Sequence, residues 1–193
     1  MKLIFEYIKK YKVTYIGVVI IFIIGLLIGG VISFRTSSDE KTEIKEYISE
    51  SVENLRENKD NKQEIFLSTF SQNAKFTLIV WLLGCTIIAG FTIYILMLYK
   101  GFLLGYIISI ILNVFGISQG LNYLCILLLA QYIIFLPTVF LLATSGIRLY
   151  KGIIKKEIDL KYELIRHSVI GIITIGIAII SSCLEAYFAV IFL

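Results

Sequence analysis

Long apolar runs separated by short polar segments dominate the chain. Five of these runs, at about 13–34, 76–99, 101–117, 121–148 and 167–193, can cross a bilayer as α-helices, the third only just. Only Lys100 and Gly101 separate the second run from the third, which predicts a tight helical hairpin. The pattern therefore predicts an all-α fold, a polytopic membrane bundle of five transmembrane helices in a single domain over residues 1–193.

The last apolar run carries one carboxylate within a stripe of small and polar residues. At helical spacing, the stripe consists of Gly171, Thr174, Ala178, Ser182, Glu185 and Ala189. A carboxylate inside a membrane span is costly, so this face should pack against protein. We expect Glu185 to hydrogen-bond Gln131, which lies at similar depth on the fourth run, or a hydroxyl group nearby, and so to join the two helices. A role of Glu185 in proton or ion transport is the alternative.

The 35–75 segment is the only sizeable polar stretch. Ser37 and Glu40 have the spacing of a capping box, which predicts an amphipathic helix over 38–64. Its acidic ridge, opposite an apolar face, is centred on Glu43, Glu46, Glu50, Glu53 and Glu57. The ridge is either a partner-binding surface or only a solvated face. The helix itself could lie on the outer membrane surface or pack on a partner.

Composition and charge support a membrane protein and set its orientation. The chain has 193 residues, 58% of them hydrophobic, and a mean hydropathy of +0.89, which excludes a soluble domain. The net charge of +4 does not indicate nucleic-acid binding, because the cations lie at the ends of the runs. Eleven Lys and Arg residues lie in the N-terminal tail, at Lys100 and in the 148–166 loop. They predict the N-terminus inside, and the 35–75 loop and C-terminus outside.

Small residues mark faces where helices can approach closely. Gly25 and Gly29 form one GxxxG pair, and Gly101 and Gly105 form another. Ala178 and Ser182 supply similar positions on the last run. These faces could pack within the chain or associate into a homo-oligomer. Pro137 should kink the fourth run.

Residues that could carry chemistry are few. His167, the only histidine, stands beside Arg166 at the start of the last run, where a cation at the membrane boundary explains it. Cys85, Cys125 and Cys183 lie within apolar runs without ligand spacing and are expected to act as small hydrophobic residues. No metalloprotease, serine-hydrolase or phosphate-loop motif occurs. The sequence predicts a non-enzymatic protein without cofactor or metal, surrounded by membrane lipid.

Several local stretches resemble the stage II sporulation protein M family. They are FSQNAKFTLIVWLLGCTIIAGF with YKGFLLG, which contain Asn73, Gly84, Gly90, Gly101 and Gly105, then Leu136-Pro137, and SSCLEAY with Glu185. The layout of five runs with a polar loop after the first is also similar to that family. The resemblance extends over nearly the whole chain.

This resemblance implies an integral membrane scaffold of the endospore engulfment machinery. Such a scaffold would anchor two peptidoglycan-degrading partners, stage II sporulation proteins D and P, at the sporulation septum. Cell-wall remodelling by these partners would let the mother-cell membrane migrate around the forespore. The alternative function is a small membrane transporter or permease subunit that uses the Glu185 face.

Overall fold

The computed structural model describes residues 11–57, 62–124, 130–155 and 160–192, and the regular structure in these ranges is α-helical. Its six helices are α1 (Lys12–Ser33), α2 (Ser38–Glu57), α3 (Lys62–Gly84), α4 (Ala89–Leu124), α5 (Ala130–Lys155) and α6 (Leu160–Phe192). The prediction of an all-α fold is confirmed.

Five long helices, α1 and α3 to α6, pack side by side around one apolar core. The contacts of Gly25 and Gly29 with successive turns of α4 show that α1 and α4 run parallel. Residues that come later in α6 contact residues that come earlier in α3 and in α5, so α6 is antiparallel to both. The core side chains include Val18, Phe22, Val80, Ile93, Met97, Phe135, Leu142 and Ile147.

Four of these helices are long and apolar enough to cross a membrane. They are Lys12–Ser33, Ala89–Leu124, Tyr132–Ile154 and Leu160–Tyr187. Many large apolar side chains on their outer faces are exposed, which fits contact with lipid. These spans are those of a multi-pass membrane protein. The helix α3 is not among the four, although it lies against α5 and α6 within the bundle.

The predicted hairpin at Lys100 and Gly101 is wrong. Both residues lie inside α4, and the chain reverses earlier, between Gly84 and Ala89. There the Thr86 hydroxyl donates to the Leu83 carbonyl oxygen at 2.7 Å and closes the last turn of α3. Lysine is a good helix former, so a Lys-Gly pair alone does not end a helix. The predicted 76–99 run is therefore divided between α3 and α4.

A sharp break at Gly116 ends the straight part of α4. Gly116 has φ 74° and ψ 171°, outside the helical region. Beyond it the chain folds back, since a Cβ on Gly120 would lie 3.2 Å from the Ile111 carbonyl oxygen. The rings of Phe115 and Tyr123 are 4.5 Å apart across this reversal. The third predicted run thus ends close to its predicted boundary. The predicted start of the fourth run, at residue 121, is too early, because residues 121–124 belong to α4 and α5 is described from Ala130.

The amphipathic helix begins where the sequence predicts. The backbone N–H of Glu40 donates to Ser37 Oγ at 3.3 Å, and that of Ser37 donates to Glu40 Oε2 at 3.0 Å, which is a capping box. The helix is described to Glu57, and residues 58–61 lie outside the described ranges. The predicted extent of 38–64 is too long, because Lys62 already belongs to α3.

Candidate functional site

Four glycines bring α1 and α4 into backbone contact. A Cβ placed on any of them would overlap a backbone carbonyl oxygen of the other helix. The four are Gly25 and Gly29 on α1, and Gly101 and Gly105 on α4. The two predicted GxxxG faces thus meet each other within one chain, and neither is free at this contact to bind a second copy.

The antiparallel helices α3 and α6 face each other through a polar stripe on each. The stripes consist of Thr69, Asn73, Thr77 and Trp81 on α3, and of His167, Gly171, Thr174, Ala178, Ser182 and Glu185 on α6. Their register is fixed at both ends. A Cβ on Gly171 would lie 2.8 Å from Trp81 Cδ1, and Glu185 forms a hydrogen bond with Thr69. The predicted small and polar face of the last run therefore packs on protein.

Glu185 has a hydroxyl partner on α3, and its bond to Gln131 stays a prediction. Its side chain hydrogen-bonds Thr69 of α3, whereas the side chain of Gln131 lies outside the described part of the structure. Tyr132 of α5 lies near enough to Glu185 to interact with the carboxylate when it is ionised. The Oε2 atom of Glu185 is buried without a hydrogen-bond partner among the described residues. Glu185 therefore joins α6 to α3 through one oxygen and leaves the other available.

The bundle interior also contains Lys100, which was predicted to lie in a turn. Lys100 Nζ lies 5.0 Å from the centroid of the Phe76 ring and 5.4 Å from that of Tyr132. Both distances are within the range of cation–π interactions. Lys100 and Glu185 thus approach Tyr132 from different helices. The predicted position of Lys100 in a turn is corrected, because Lys100 is inside α4.

His167 is buried, which corrects its interpretation as a cation at the membrane boundary. Its side chain is 0% exposed. Its Nε2 lies 3.1 Å from the Trp81 carbonyl oxygen, and its Nδ1 lies 2.5 Å from Ser145 Oγ. Because a carbonyl oxygen only accepts, Nε2–H is the donor to Trp81. His167 therefore links α3, α5 and α6 by hydrogen bonds.

Charged side chains next to His167 hold one end of the bundle together. Glu163 is buried and forms ion pairs with Arg148, at 3.0 Å, and with Arg166. The Arg148 guanidinium carbon lies 3.4 Å from the centroid of the Tyr11 ring, just before α1. The first residues of α1 and α6 and the last turns of α5 thus meet at the same end, which we call the cationic end.

The amphipathic helix α2 packs its apolar face on its own chain. Ile44 and Ile48 lie against the cluster around Ile110 and Ile111 of α4. The connection before it is held by Thr36 Oγ1, which lies 3.2 Å from the Tyr106 hydroxyl. Four residues of the predicted acidic ridge are exposed on the opposite side, namely Glu43, Glu46, Glu50 and Glu53. The side chain of Glu57 lies outside the described residues.

Metal-binding groups and cysteines complete the inventory. In the ranges that the structure describes, no group of three or more His, Cys, Asp or Glu side chains could hold a metal ion. Cys85 and Cys183 are free thiols, and Cys125 lies outside those ranges. Cys85 lies in the turn between α3 and α4, where burial raises the pKa of its thiol above the usual value. A raised pKa keeps the thiol protonated and poorly nucleophilic.

The polar residues that α3 contributes to its interface with α6 were not predicted from the sequence. Thr69, Asn73 and Thr77 recur every four residues, and this spacing was the available signal for a polar helical face. This spacing was overlooked because the second span was predicted to begin at Phe76. That start assigned Thr69 and Asn73 to the outer loop and placed Thr77 at its edge. Lys100 was missed because the turn was assigned to it.

Comparison with known proteins gives one match that extends over most of the chain. No curated protein and no solved structure matches it. A family model described as Stage II sporulation protein M matches residues 18–190. The matched range contains the glycine contact of α1 with α4, the exposed acidic face of α2 and both polar stripes of α3 and α6.

Proposed function

The chain belongs to the stage II sporulation protein M family, and from this premise we propose that it is a membrane scaffold of the endospore engulfment machinery. In this role it anchors peptidoglycan-degrading proteins at the septal membrane, so that the mother-cell membrane can migrate around the forespore. The family resemblance implies stage II sporulation proteins D and P as these partners.

The observation that carries the proposal is that α2 packs on its own chain and presents its acidic face outward. Its apolar residues Ile44 and Ile48 pack on α4, and a capping box stabilises its first turn. The exposed carboxylates of Glu43, Glu46 and Glu50 are therefore held at fixed spacing on a preformed helix. A preformed surface loses little conformational entropy when a partner binds, which suits a docking element.

We also propose that the chain crosses the membrane five times, with its N-terminus inside and α2 outside. We count α3 as the fifth crossing because it packs between apolar spans, parallel to α5 and antiparallel to α6. Removing Lys100 from the count leaves ten Lys and Arg residues in the N-terminal tail and the 148–166 loop. Both segments adjoin the cationic end of the bundle, and cations favour the inside.

Charge reversal of α2 tests the scaffold. The variant carries Glu43→Lys, Glu46→Lys, Glu50→Lys and Glu53→Lys, and its partner recovery is measured by co-purification of proteins D and P from sporulating cells. We expect the variant to insert into the membrane at normal levels and to lose both partners. A matched control reverses Lys151 and Lys161 at the cationic end and should retain them. Undiminished recovery with the α2 variant would remove the support for this docking surface.

A transporter or permease subunit is the second candidate, and the presence of both Lys100 and Glu185 inside the bundle favours it. Intramembrane ionisable residues commonly mark transport pathways. The variants Lys100→Met and Glu185→Gln separate the two functions in an engulfment assay combined with co-purification. A scaffold should keep its partners and its activity in these variants. Failure of engulfment with partners still bound would favour transport.

A further inference from the structure

Five buried polar atoms on α3 and α6 have no hydrogen-bond partner among the described residues. They are Asn73 Nδ2, Thr77 Oγ1, Trp81 Nε1, Ser182 Oγ and Glu185 Oε2. Asn73 is 1% exposed, and Thr77 and Ser182 are 0% exposed. Buried polar groups without partners are rare because each loses its bonds to solvent on folding. Five of them on two packed helices call for a common explanation.

The five atoms lie along one interface. The contacts of Trp81 with Gly171 and of Thr69 with Glu185 fix the register of the two helices at both ends. Between these contacts, the antiparallel register places Asn73 opposite the turn of α6 that includes Ser182, because both stripes keep helical spacing. Thr77 lies one turn further along, opposite the turn between Thr174 and Ala178. From residue 69 to residue 81 the interface is roughly 18 Å long.

Neighbouring hydroxyl groups on the same face behave differently. Thr174 donates to the Ile170 carbonyl oxygen at 2.8 Å, and Ser181 donates to that of Ala178 at 3.0 Å. Such bonds to the preceding turn are the usual way in which a hydroxyl group is satisfied within a helix. Thr77 and Ser182 do not use this option. Their hydroxyl groups are therefore available to a ligand in the interface.

The mixture of donors and acceptors identifies that ligand. Trp81 Nε1 can only donate, Glu185 Oε2 accepts when ionised, and the hydroxyl groups of Thr77 and Ser182 do both. A metal cation would require oxygen acceptors only, and an anion would require donors only. Water bonds to both kinds and commonly makes two to four bonds to buried polar groups.

We propose that the α3–α6 interface binds a file of internal water molecules that extends from Trp81 to Glu185. These waters hydrogen-bond Asn73, Thr77 and Ser182 and hydrate the free oxygen of Glu185 inside the membrane. The site does not depend on the scaffold function, since its residues lie within the bundle and the acidic face of α2 lies outside it.

An isosteric substitution tests the proposal through protein stability. Thr77→Val replaces the hydroxyl group by a methyl group, and Thr144→Val is the matched control. Thr144 is equally buried, but its hydroxyl donates to the Phe140 carbonyl oxygen at 2.7 Å. If water occupies the interface, Thr77→Val removes a partner of that water and lowers the Tm more than Thr144→Val does. In a dry interface, Thr77→Val removes an unsatisfied group, and an equal or higher Tm than that of Thr144→Val would overturn the proposal.

A second measurement needs no variant. A high-resolution crystal structure of the wild-type protein in lipid should contain ordered water within hydrogen-bond distance of the Asn73 amide and the Thr77 hydroxyl. Side chains that close the interface, with no water density between α3 and α6, would contradict the proposal even if the variants failed to fold.

Discussion

Gly101 lies where a single added methyl group would overlap the Phe22 carbonyl oxygen of α1. Gly101→Ala should therefore lower the free energy of unfolding by roughly 1–3 kcal/mol, the usual cost of overpacking. Thermal unfolding of the detergent-solubilised protein measures the loss. Gly176→Ala on α6 is the matched control, since nothing lies within 4 Å of its added Cβ. It should be neutral or stabilising by up to about 1 kcal/mol, because alanine favours the helix. Equal effects of both changes would show that the glycine contact is unimportant.

The hydrogen bond between Ser145 and His167 should couple the two residues energetically. In a double-mutant cycle of Ser145→Ala and His167→Phe, we expect an interaction free energy of roughly 0.5–3 kcal/mol, as for other contacting polar pairs. Unfolding of the four proteins in denaturant measures it. For comparison, Ser33→Ala removes a buried hydroxyl of α1 that bonds the Gly30 carbonyl oxygen, and its effect should simply add to that of His167→Phe. Strict additivity in both cycles would argue against the buried pair.

The environment of a single residue could be predicted from the sequence where it depends on neighbours in the same helix, and not where it depends on other helices. The small and polar face of the last run follows from spacing alone. The bond of Glu185 to Thr69 does not, because spacing within one segment cannot tell which helix packs beside another. His167 could not be placed either, since its neighbour Arg166 indicates a boundary while the burial of His167 depends on α3 and α5.

At the level of elements, α2 is the helix whose start the sequence specifies best. Ser37→Ala should remove one half of the capping box and cost about 1 kcal/mol of local helix stability. Hydrogen–deuterium exchange of the first-turn amides measures this as faster exchange. Thr42→Ala is the matched control, because the Thr42 hydroxyl only bonds the Ser38 carbonyl oxygen within the helix. Faster exchange in both variants would point to general fraying of α2 and not to loss of the cap.

The reversal at the end of α4 depends on the backbone of Gly116. Its φ of 74° is unfavourable for residues with a Cβ, and no atom lies within 4 Å of the Cβ that a substitution would add. With ψ at 171°, Gly116 lies in a backbone region that is essentially restricted to glycine, so Gly116→Ala should cost about 1–3 kcal/mol through strain alone. Gly116→Asn should cost a similar amount, since asparagine tolerates the left-handed helical region, where ψ is roughly 30–60°, and not this one. Thermal unfolding compares the two, and a negligible loss for alanine or a clearly smaller loss for asparagine would contradict this origin.

The error at Lys100 has a physical origin in α3. A search for apolar runs finds helices that face lipid, whereas α3 directs Thr69, Asn73 and Thr77 into the bundle. Its first half therefore looks like a loop, and its apolar second half merges with the start of α4. The turn at 85–88 has no Pro, Gly or charged residue to mark it. Only the packing of α3 on α6 reveals where the helix begins and ends.

For the whole molecule, the proposed orientation predicts which surfaces reach the cell exterior. In a background with Cys85, Cys125 and Cys183 replaced by Ala, Glu43→Cys on α2 should react with a membrane-impermeant maleimide on intact cells. Lys151→Cys at the cationic end should react only after the membrane is permeabilised. Both positions are exposed in the structure. Labelling of Lys151→Cys on intact cells, with Glu43→Cys protected, would show that the topology is the opposite of the one proposed.

The class of the whole molecule could be predicted, whereas its arrangement could not. Apolar runs identify a polytopic helical protein because lipid imposes length and composition on each span. The family also follows from short motifs, which all lie within the range 18–190 that the family model matches. The pairing of α1 with α4, and of α3 with α6, depends on contacts between segments far apart in the chain. Spacing within one segment cannot supply these pairings.

The pairing of α3 with α6 also constrains the order of events during translation. The ribosome makes Asn73 and Thr77 about a hundred residues before Ser182 and Glu185, so the polar face of α3 must wait for its partner. Until α6 emerges, that face has to remain in the translocon or beside an insertase, since lipid cannot satisfy it. Nascent chains that stop after α5 should accordingly be retained by the insertion machinery or degraded by membrane proteases.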